Sequence, residues 1–250
     1  MTRPDLTDIT IVLDRSGSME SVREATIAAF NDFVRSQRGG DGEARLSLVQ
    51  FDDQYETPYT DQPVDAAPLL TAGTYEPRGS TALLDAIGTT IDRTGARLSA
   101  LPEERRPGSV VVAILTDGFE NASHRFDMAA ISAKIAHQRT IYAWQFLFLA
   151  ANQDAIATAA GLGVGAAQSL TFAASPTGVH AAAASLGRQM RSARDRRVAQ
   201  AREAGPAGAP PAAPLDVAFD ATDRAESLPT DPPAASGGAA SLNGKAKRKP

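Results

Sequence analysis

Three short, mainly apolar runs, at residues 9–13, 110–115 and 141–149, constrain the fold more than any other feature of the sequence. Runs of this length, rich in β-branched or aromatic residues, are typical of strands that are buried on both faces of a parallel sheet. Between them lie segments in which apolar residues recur at helical spacing, as around Phe30 and Ile87. Strands that alternate with helices predict an α/β fold with a doubly wound, mostly parallel, Rossmann-like sheet and helices on both faces.

One region breaks this alternation, because residues 45–51 and 55–60 read as two strands joined by a tight turn at Asp52 and Asp53. They predict a hairpin that adds one antiparallel edge strand to the sheet, with both aspartates exposed in the turn. The later elements are predicted to be a helix around Met128, Ile131 and Ile135, a helix at 152–160, a strand at 169–172 and a final helix from 177 to about 203. Gly161 to Gly165 are interpreted as a turn rather than a dinucleotide loop.

The domain is predicted to span residues 1–204, with its core at about 6–190 and the half-helix at 191–197 facing solvent. From Gly205 the chain becomes rich in Ala, Pro and Gly. Such a composition cannot bury enough apolar surface to offset the entropy of ordering, so residues 205–250 are predicted to be a disordered tail with a basic end.

The composition excludes several classes of function. There is no cysteine, which excludes disulfides, thiolate metal sites and cysteine nucleophiles. The net charge is -4, so we do not expect nucleic acid as a partner. The first residues contain no apolar stretch typical of a signal peptide, and residues 141–151 are too short to cross a bilayer. We therefore expect a cytoplasmic protein that makes no membrane contact.

Polar side chains follow two of the predicted strands and begin one of the predicted helices. Asp14, Ser16 and Ser18 come directly after the first strand, Asp117 follows the 110–115 strand, and Thr81 stands at a helix start. The carboxyl ends of parallel strands share one edge of the sheet, where ligands bind at the point of reversed strand order. We therefore expect these five side chains to converge.

Such a group offers two carboxylates and three hydroxyls, with no sulfur and no imidazole. All-oxygen sites suit hard cations, so Mg²⁺ is the predicted ion, with Mn²⁺ or Ca²⁺ as alternatives. A first shell made largely of neutral hydroxyls leaves the cation electron-poor. A carboxylate from outside the chain is then an attractive last ligand.

The pattern Asp14-x-Ser16-x-Ser18, with Thr81 and Asp117, resembles the complete metal-ion-dependent adhesion site of von Willebrand factor A (vWA) domains. The likeness covers about residues 6–190 and is greatest to stand-alone bacterial vWA proteins. It implies that Ser16, Ser18 and Thr81 bind the metal directly, while Asp14 and Asp117 act mainly through water. It also implies a non-enzymatic module that binds an Asp or Glu of a partner protein, such as an AAA+ ATPase or a multi-protein assembly. The residues predicted to contact that partner are Arg15, Met19, Ser80, Gly118 and Phe119.

Alternatives remain open at this stage. The serines could be helix caps and Asp117 a turn residue. Asp85, one helical turn beyond Thr81, could support the site or act as a helix N-terminal charge.

A Mg²⁺-dependent phosphatase similar to haloacid dehalogenases would need a second aspartate where Ser16 stands and a lysine, for which only Lys134 is available. A serine hydrolase would need His124 as its base, and a scaffold would act through the tail.

Overall fold

The computed structural model describes residues 2–151, 155–208 and 215–228. Its strands are β1 (Arg3–Asp14), β2 (Glu43–Phe51), β3 (Tyr55–Pro63), β4 (Pro107–Thr116), β5 (Gln145–Ala150) and β6 (Ser169–Thr171). Its α-helices are α1 (Arg23–Gln37), α2 (Leu83–Ser99), α3 (Met128–Tyr142), α4 (Ala155–Gly161), α5 (Pro176–Gly208) and α6 (Ala221–Ser227). Short 3₁₀ helices lie at Gly17–Val22, Glu103–Arg105 and Ala166–Gln168.

The strands form one sheet in the order β3-β2-β1-β4-β5-β6. Only the pairing of β2 with β3 is antiparallel, which confirms both the doubly wound fold and the predicted edge hairpin. From β1 the chain builds outward to β2 and later returns to add β4 on the other side. The order therefore reverses between β1 and β4, which creates a crevice at their carboxyl ends.

Alternate residues of the central strands point to opposite faces and form two apolar cores. On one face Ile9, Ile11 and Leu13 of β1 pack with residues of α1 and α5. On the other face Val12 of β1 packs with residues of α2, α3 and α4, together with Phe148 of β5. The apolar character of residues 9–13, 110–115 and 145–149 follows from this arrangement, since both faces of each central strand are covered. The strand predicted from residue 141 begins later, because Ile141 and Tyr142 end α3 and are exposed.

The carboxyl-terminal part of the chain differs from the prediction. Helix α5 extends to Gly208, and Arg194 in its second half is 2% exposed rather than solvated, donating to Gln37 of α1. Residues 215–228, predicted to be disordered, lie against the domain with Leu215, Val217 and Phe219 buried. The predicted tail residues 209–214 and 229–250 lie outside the described residues.

Within the described part of the chain, no helix combines the length and apolar character needed to span a bilayer.

Candidate metal centre

The carboxyl ends of β1 and β4 meet at the crevice, and Asp14 lies between them. Its side chain is fully buried and accepts hydrogen bonds from the Ser16 backbone N–H at 2.6 Å and from the Thr116 hydroxyl at 2.5 Å. Burial raises the pKa of Asp14 to about 6; these two hydrogen bonds oppose the shift and the nearby Asp117 carboxylate adds to it. The site thus holds a carboxylate whose negative charge is poorly compensated.

The serine hydroxyls connect the two strand ends. Ser18 donates to an Asp117 carboxylate oxygen at 2.6 Å, and the Ser16 and Ser18 hydroxyl oxygens are 3.1 Å apart. Burial also raises the pKa of Asp117, against the opposing effect of the hydrogen bond from Ser18. Residues from β1 and from the loop after β4 therefore share one small polar space.

Thr81 joins the same space from the start of α2. Its side chain is buried, and a methyl group added at Gly118 would lie 2.7 Å from the Thr81 hydroxyl oxygen and 3.4 Å from an Asp14 carboxylate oxygen. Gly118 can approach both groups because it has no side chain. The structure thus brings together all five predicted metal residues, named here the hydroxyl–carboxylate cluster: Asp14, Ser16, Ser18, Thr81 and Asp117.

A network of charged side chains holds the loop that carries Ser16 and Ser18. The sequence did not reveal this network. Arg15 pairs with Asp52 at 3.1 Å and with Glu56 at 2.6 Å, and Arg78 pairs with both of these acids. The Arg78 backbone N–H also donates to the Arg15 carbonyl at 2.7 Å. Arg15 therefore fixes the loop that carries Ser16 and Ser18 to the β2–β3 hairpin.

Three predictions are corrected by this packing. Arg15 and Met19 are 5% and 3% exposed, so neither lies where it could contact a partner. Met19 is buried because the 3₁₀ helix Gly17–Val22 turns it into the core beside α1. Asp52 is fully buried rather than exposed in a turn, since it lies between two arginines.

Ser80, Gly118 and Phe119 lie within two residues of Thr81 or Asp117 in the chain. Ser80 is exposed and Gly118 half-buried, and Phe119 is the most prominent, with 61% of its surface exposed. The Phe119 side chain is therefore accessible to a partner molecule.

The structure also reveals supporting residues: sequence reasoning missed Tyr75 and Asn121, whereas it had left a supporting role for Asp85 open. The Tyr75 hydroxyl donates to the Asp14 carbonyl at 2.6 Å from a fully buried position. Asn121, in the loop after Asp117, binds the backbone of Thr81. Asp85 accepts backbone N–H groups of residues 124–126, so it supports the loop after Asp117 and does not touch the cluster itself. Only their positions near the motif segments could have suggested these roles.

The residue types of the cluster fit a hard divalent cation. The cluster contains oxygen donors alone, and neither Asp14 nor Asp117 forms an ion pair with any described basic residue. A bound cation would supply the missing positive charge and would lower the raised pKa of each carboxyl group. The described residues contain no group of three or more His, Cys, Asp or Glu side chains that could hold a metal, so the cluster, with two carboxylates, depends on its three hydroxyls.

The family model for the von Willebrand factor type A domain matches residues 8–158, which is more than half of the chain. The chain belongs to this vWA family. The matched segment contains all five residues of the hydroxyl–carboxylate cluster and ends before the last strand and α5. A search of curated proteins found no significant match to this vWA protein.

Solved structures show the same fold at low sequence identity. Proximal thread matrix protein 1 from the mussel byssus is 17% identical with a TM-score of 0.51, and the match covers 73% of this chain and 45% of that one. A second structure of that protein, described with a zinc-occupied MIDAS motif, has a TM-score of 0.46 at 17% identity and 77% and 44% coverage. A von Willebrand factor type A protein from Catenulispora acidiphila has a TM-score of 0.48 at 13% identity, with 73% and 42% coverage. This vWA chain thus spans less than half the length of each of these proteins.

Proposed function

We propose that this vWA protein binds one divalent cation in a complete metal-ion-dependent adhesion site, and that the preferred cation is Mg²⁺. We further propose that the cation binds an Asp or Glu of a partner protein. The observation that carries the proposal is the convergence of three hydroxyls and two unpaired carboxylates at the crevice between β1 and β4. Ser16, Ser18 and Thr81 would bind the cation directly, and Asp14 and Asp117 would act mainly through water and by orienting the hydroxyls.

The charge of this ligand set favours an acidic partner. Three of the five side chains are neutral, so the bound cation would keep much of its positive charge. The two nearest arginines, Arg15 and Arg78, are already paired with Asp52 and Glu56. Recognition of a carboxylate would therefore depend on the cation and not on a basic side chain.

The contacts offer little support for catalysis. Lys134, the lysine that a phosphatase would require, lies on α3 and pairs with Asp92 of α2. Among the described residues, no histidine is hydrogen-bonded to Ser16 or Ser18, as a serine hydrolase would require. We therefore propose a non-enzymatic interaction module, with an AAA+ ATPase or a larger assembly as the class of partner to be tested.

Partner capture is expected to depend on the cation. The full chain, immobilised and incubated with an extract of its source cells, should retain a partner in Mg²⁺ and release it in chelator, as identified by mass spectrometry. Thr81→Ala should lose this partner, because a hydroxyl of the cluster is removed. The control Ser99→Ala removes an exposed hydroxyl at the other end of α2 and should capture normally. Equal capture with chelator, or by Thr81→Ala, would contradict the proposal.

Phe119 is expected to contribute to partner binding without contributing to metal binding. It is exposed and lies two residues beyond Asp117, which would place its ring beside the cluster. Phe119→Ala should weaken partner capture by about tenfold or more, the usual effect of removing an aromatic anchor. Its Mg²⁺ affinity, measured by calorimetry, should stay within about twofold of the wild type because no ligand is removed. Undiminished partner capture would show that Phe119 is not part of the interface.

A further inference from the structure

The loop after β4 lies against the start of α2, and Asn121 makes the closest connection between them. The Asn121 side-chain oxygen accepts the Thr81 backbone N–H at 2.8 Å, and the Asn121 backbone N–H donates to the Thr81 carbonyl at 3.0 Å. Both backbone hydrogen-bonding groups of Thr81 are therefore engaged by a single residue. This pairing fixes the Thr81 backbone relative to the segment that carries Asp117.

The remainder of the loop binds N–H groups of the helix start beyond Thr81. Glu120 accepts the Leu84 N–H at 2.8 Å, and Ser123 accepts the Asp85 N–H at 3.0 Å. In return, the Asp85 carboxylate accepts N–H groups from residues 124–126. Because a helix start leaves its first N–H groups without internal partners, the loop acts as an external cap for α2. The loop and the helix start thus form one hydrogen-bonded unit.

The position of Thr81 matters because its hydroxyl lies in the cluster, buried and close to Gly118. Thr81 is 3% exposed, and its hydroxyl oxygen would lie only 2.7 Å from a methyl group added at Gly118. Mg²⁺ requires a nearly ideal octahedron, so a hydroxyl displaced by a few tenths of an ångström is a poorer ligand. Within the described loop, Asn121 is the residue whose side chain binds the Thr81 backbone, whereas Glu120 and Asp85 act beyond it.

We propose that Asn121 is a positioning residue of the metal site: it holds the Thr81 backbone, orients the Thr81 hydroxyl and thereby sets the affinity for the divalent ion. This inference rests on the proposed function, because it assigns a role at the same site. Asn121 does not touch the ion. Residues that hydrogen-bond to a metal ligand commonly act in this way, by restricting the ligand to the orientation that metal binding requires.

The test is a Mn²⁺ titration of the full chain, followed by electron paramagnetic resonance, which reports free Mn²⁺. Asn121→Ala should bind Mn²⁺ about tenfold more weakly than the wild type, as expected for loss of a residue behind a metal ligand. Its thermal midpoint in chelator should change little, since the side chain is largely at the surface. Asn121→Asp retains an acceptor for the Thr81 N–H and should restore the affinity, measured at about 0.5 M salt to screen the added charge.

Ser123→Ala is the matched control within the same loop. It removes the bonds to Glu120 and to the Asp85 N–H but leaves the pairing of Asn121 with Thr81 intact. Its Mn²⁺ affinity should stay within about twofold of the wild type. Three results would overturn this inference and leave the proposed function standing. They are wild-type Mn²⁺ affinity in Asn121→Ala, an equal loss of Mn²⁺ affinity in Ser123→Ala, and no recovery of Mn²⁺ affinity in Asn121→Asp. A wild-type protein that binds no Mn²⁺ would overturn the proposed function and this inference together.

Discussion

Phe219→Ala is expected to lower the free energy of unfolding by about 3–5 kcal/mol, the usual cost of removing a buried aromatic side chain. Phe219 lies in the carboxyl-terminal segment 215–228, outside the residues matched by the vWA family model, and is only 4% exposed. Its backbone N–H donates to Ala167 at 2.8 Å. Urea unfolding followed by circular dichroism measures the change.

Leu228→Ala provides the control, because Leu228 stands at the end of the same segment and is 48% exposed. Its effect should stay within about 0.5 kcal/mol, as is usual for surface positions. If Phe219→Ala changed the free energy of unfolding as little as Leu228→Ala, residues 215–228 would not be part of the folded domain. The prediction of a disordered tail from Gly205 would then hold for this segment as well.

Gly118→Ala is expected to weaken binding of Mg²⁺ by about tenfold to a hundredfold without unfolding the protein. The added methyl group would lie 2.7 Å from the Thr81 hydroxyl oxygen and 3.4 Å from an Asp14 carboxylate oxygen. The contact with Asp14 is an ordinary one, but the contact with the buried Thr81 hydroxyl is too short, so that hydroxyl must shift and the arrangement that suits an octahedral ion is lost. Calorimetric titration with Mg²⁺ measures the affinity, and circular dichroism monitors the fold.

Gly95→Ala serves as the comparison, since a methyl group there has no neighbour within 4 Å and Gly95 lies inside α2. It should leave Mg²⁺ affinity unchanged and stabilise the helix by about 0.5–1 kcal/mol. Unchanged Mg²⁺ affinity in Gly118→Ala would mean that the ion does not bind beside Thr81 and Asp14.

The fold was largely predictable because its central strands are buried on both faces. Such strands read as uninterrupted apolar runs, as at residues 110–115, and the order of runs and amphipathic helices then indicates a doubly wound sheet. The convergence of Asp14, Ser16, Ser18 and Asp117 followed from the same reasoning, since strand ends meet at one edge.

The charged network that holds the loop carrying Ser16 and Ser18 could not be predicted in the same way. Arg15 and Asp52 are 37 residues apart, and neither local spacing nor composition indicates that they pair. Arg15 stands among the motif residues and therefore resembled a partner contact. Its burial depends on where the β2–β3 hairpin lies, which is a property of the tertiary structure.

The carboxyl-terminal segment did carry a signal, which the surrounding Ala and Pro residues obscured. Leu215, Val217 and Phe219 alternate in the pattern of an extended segment with one buried face. Asp220 and Asp223 then form a capping box at the start of α6. An average over the whole stretch from Gly205 hides residues 215–228, an extended segment followed by the short helix α6.

The central claim is that the hydroxyl–carboxylate cluster binds a divalent cation through its hydroxyls. Calorimetric titration of Mg²⁺ into the wild type and into the Ser16→Ala/Ser18→Ala double variant tests it most directly. We expect one ion per wild-type chain and no measurable binding to the double variant, with circular dichroism unchanged. Equal Mg²⁺ affinity in the two proteins would contradict the claim.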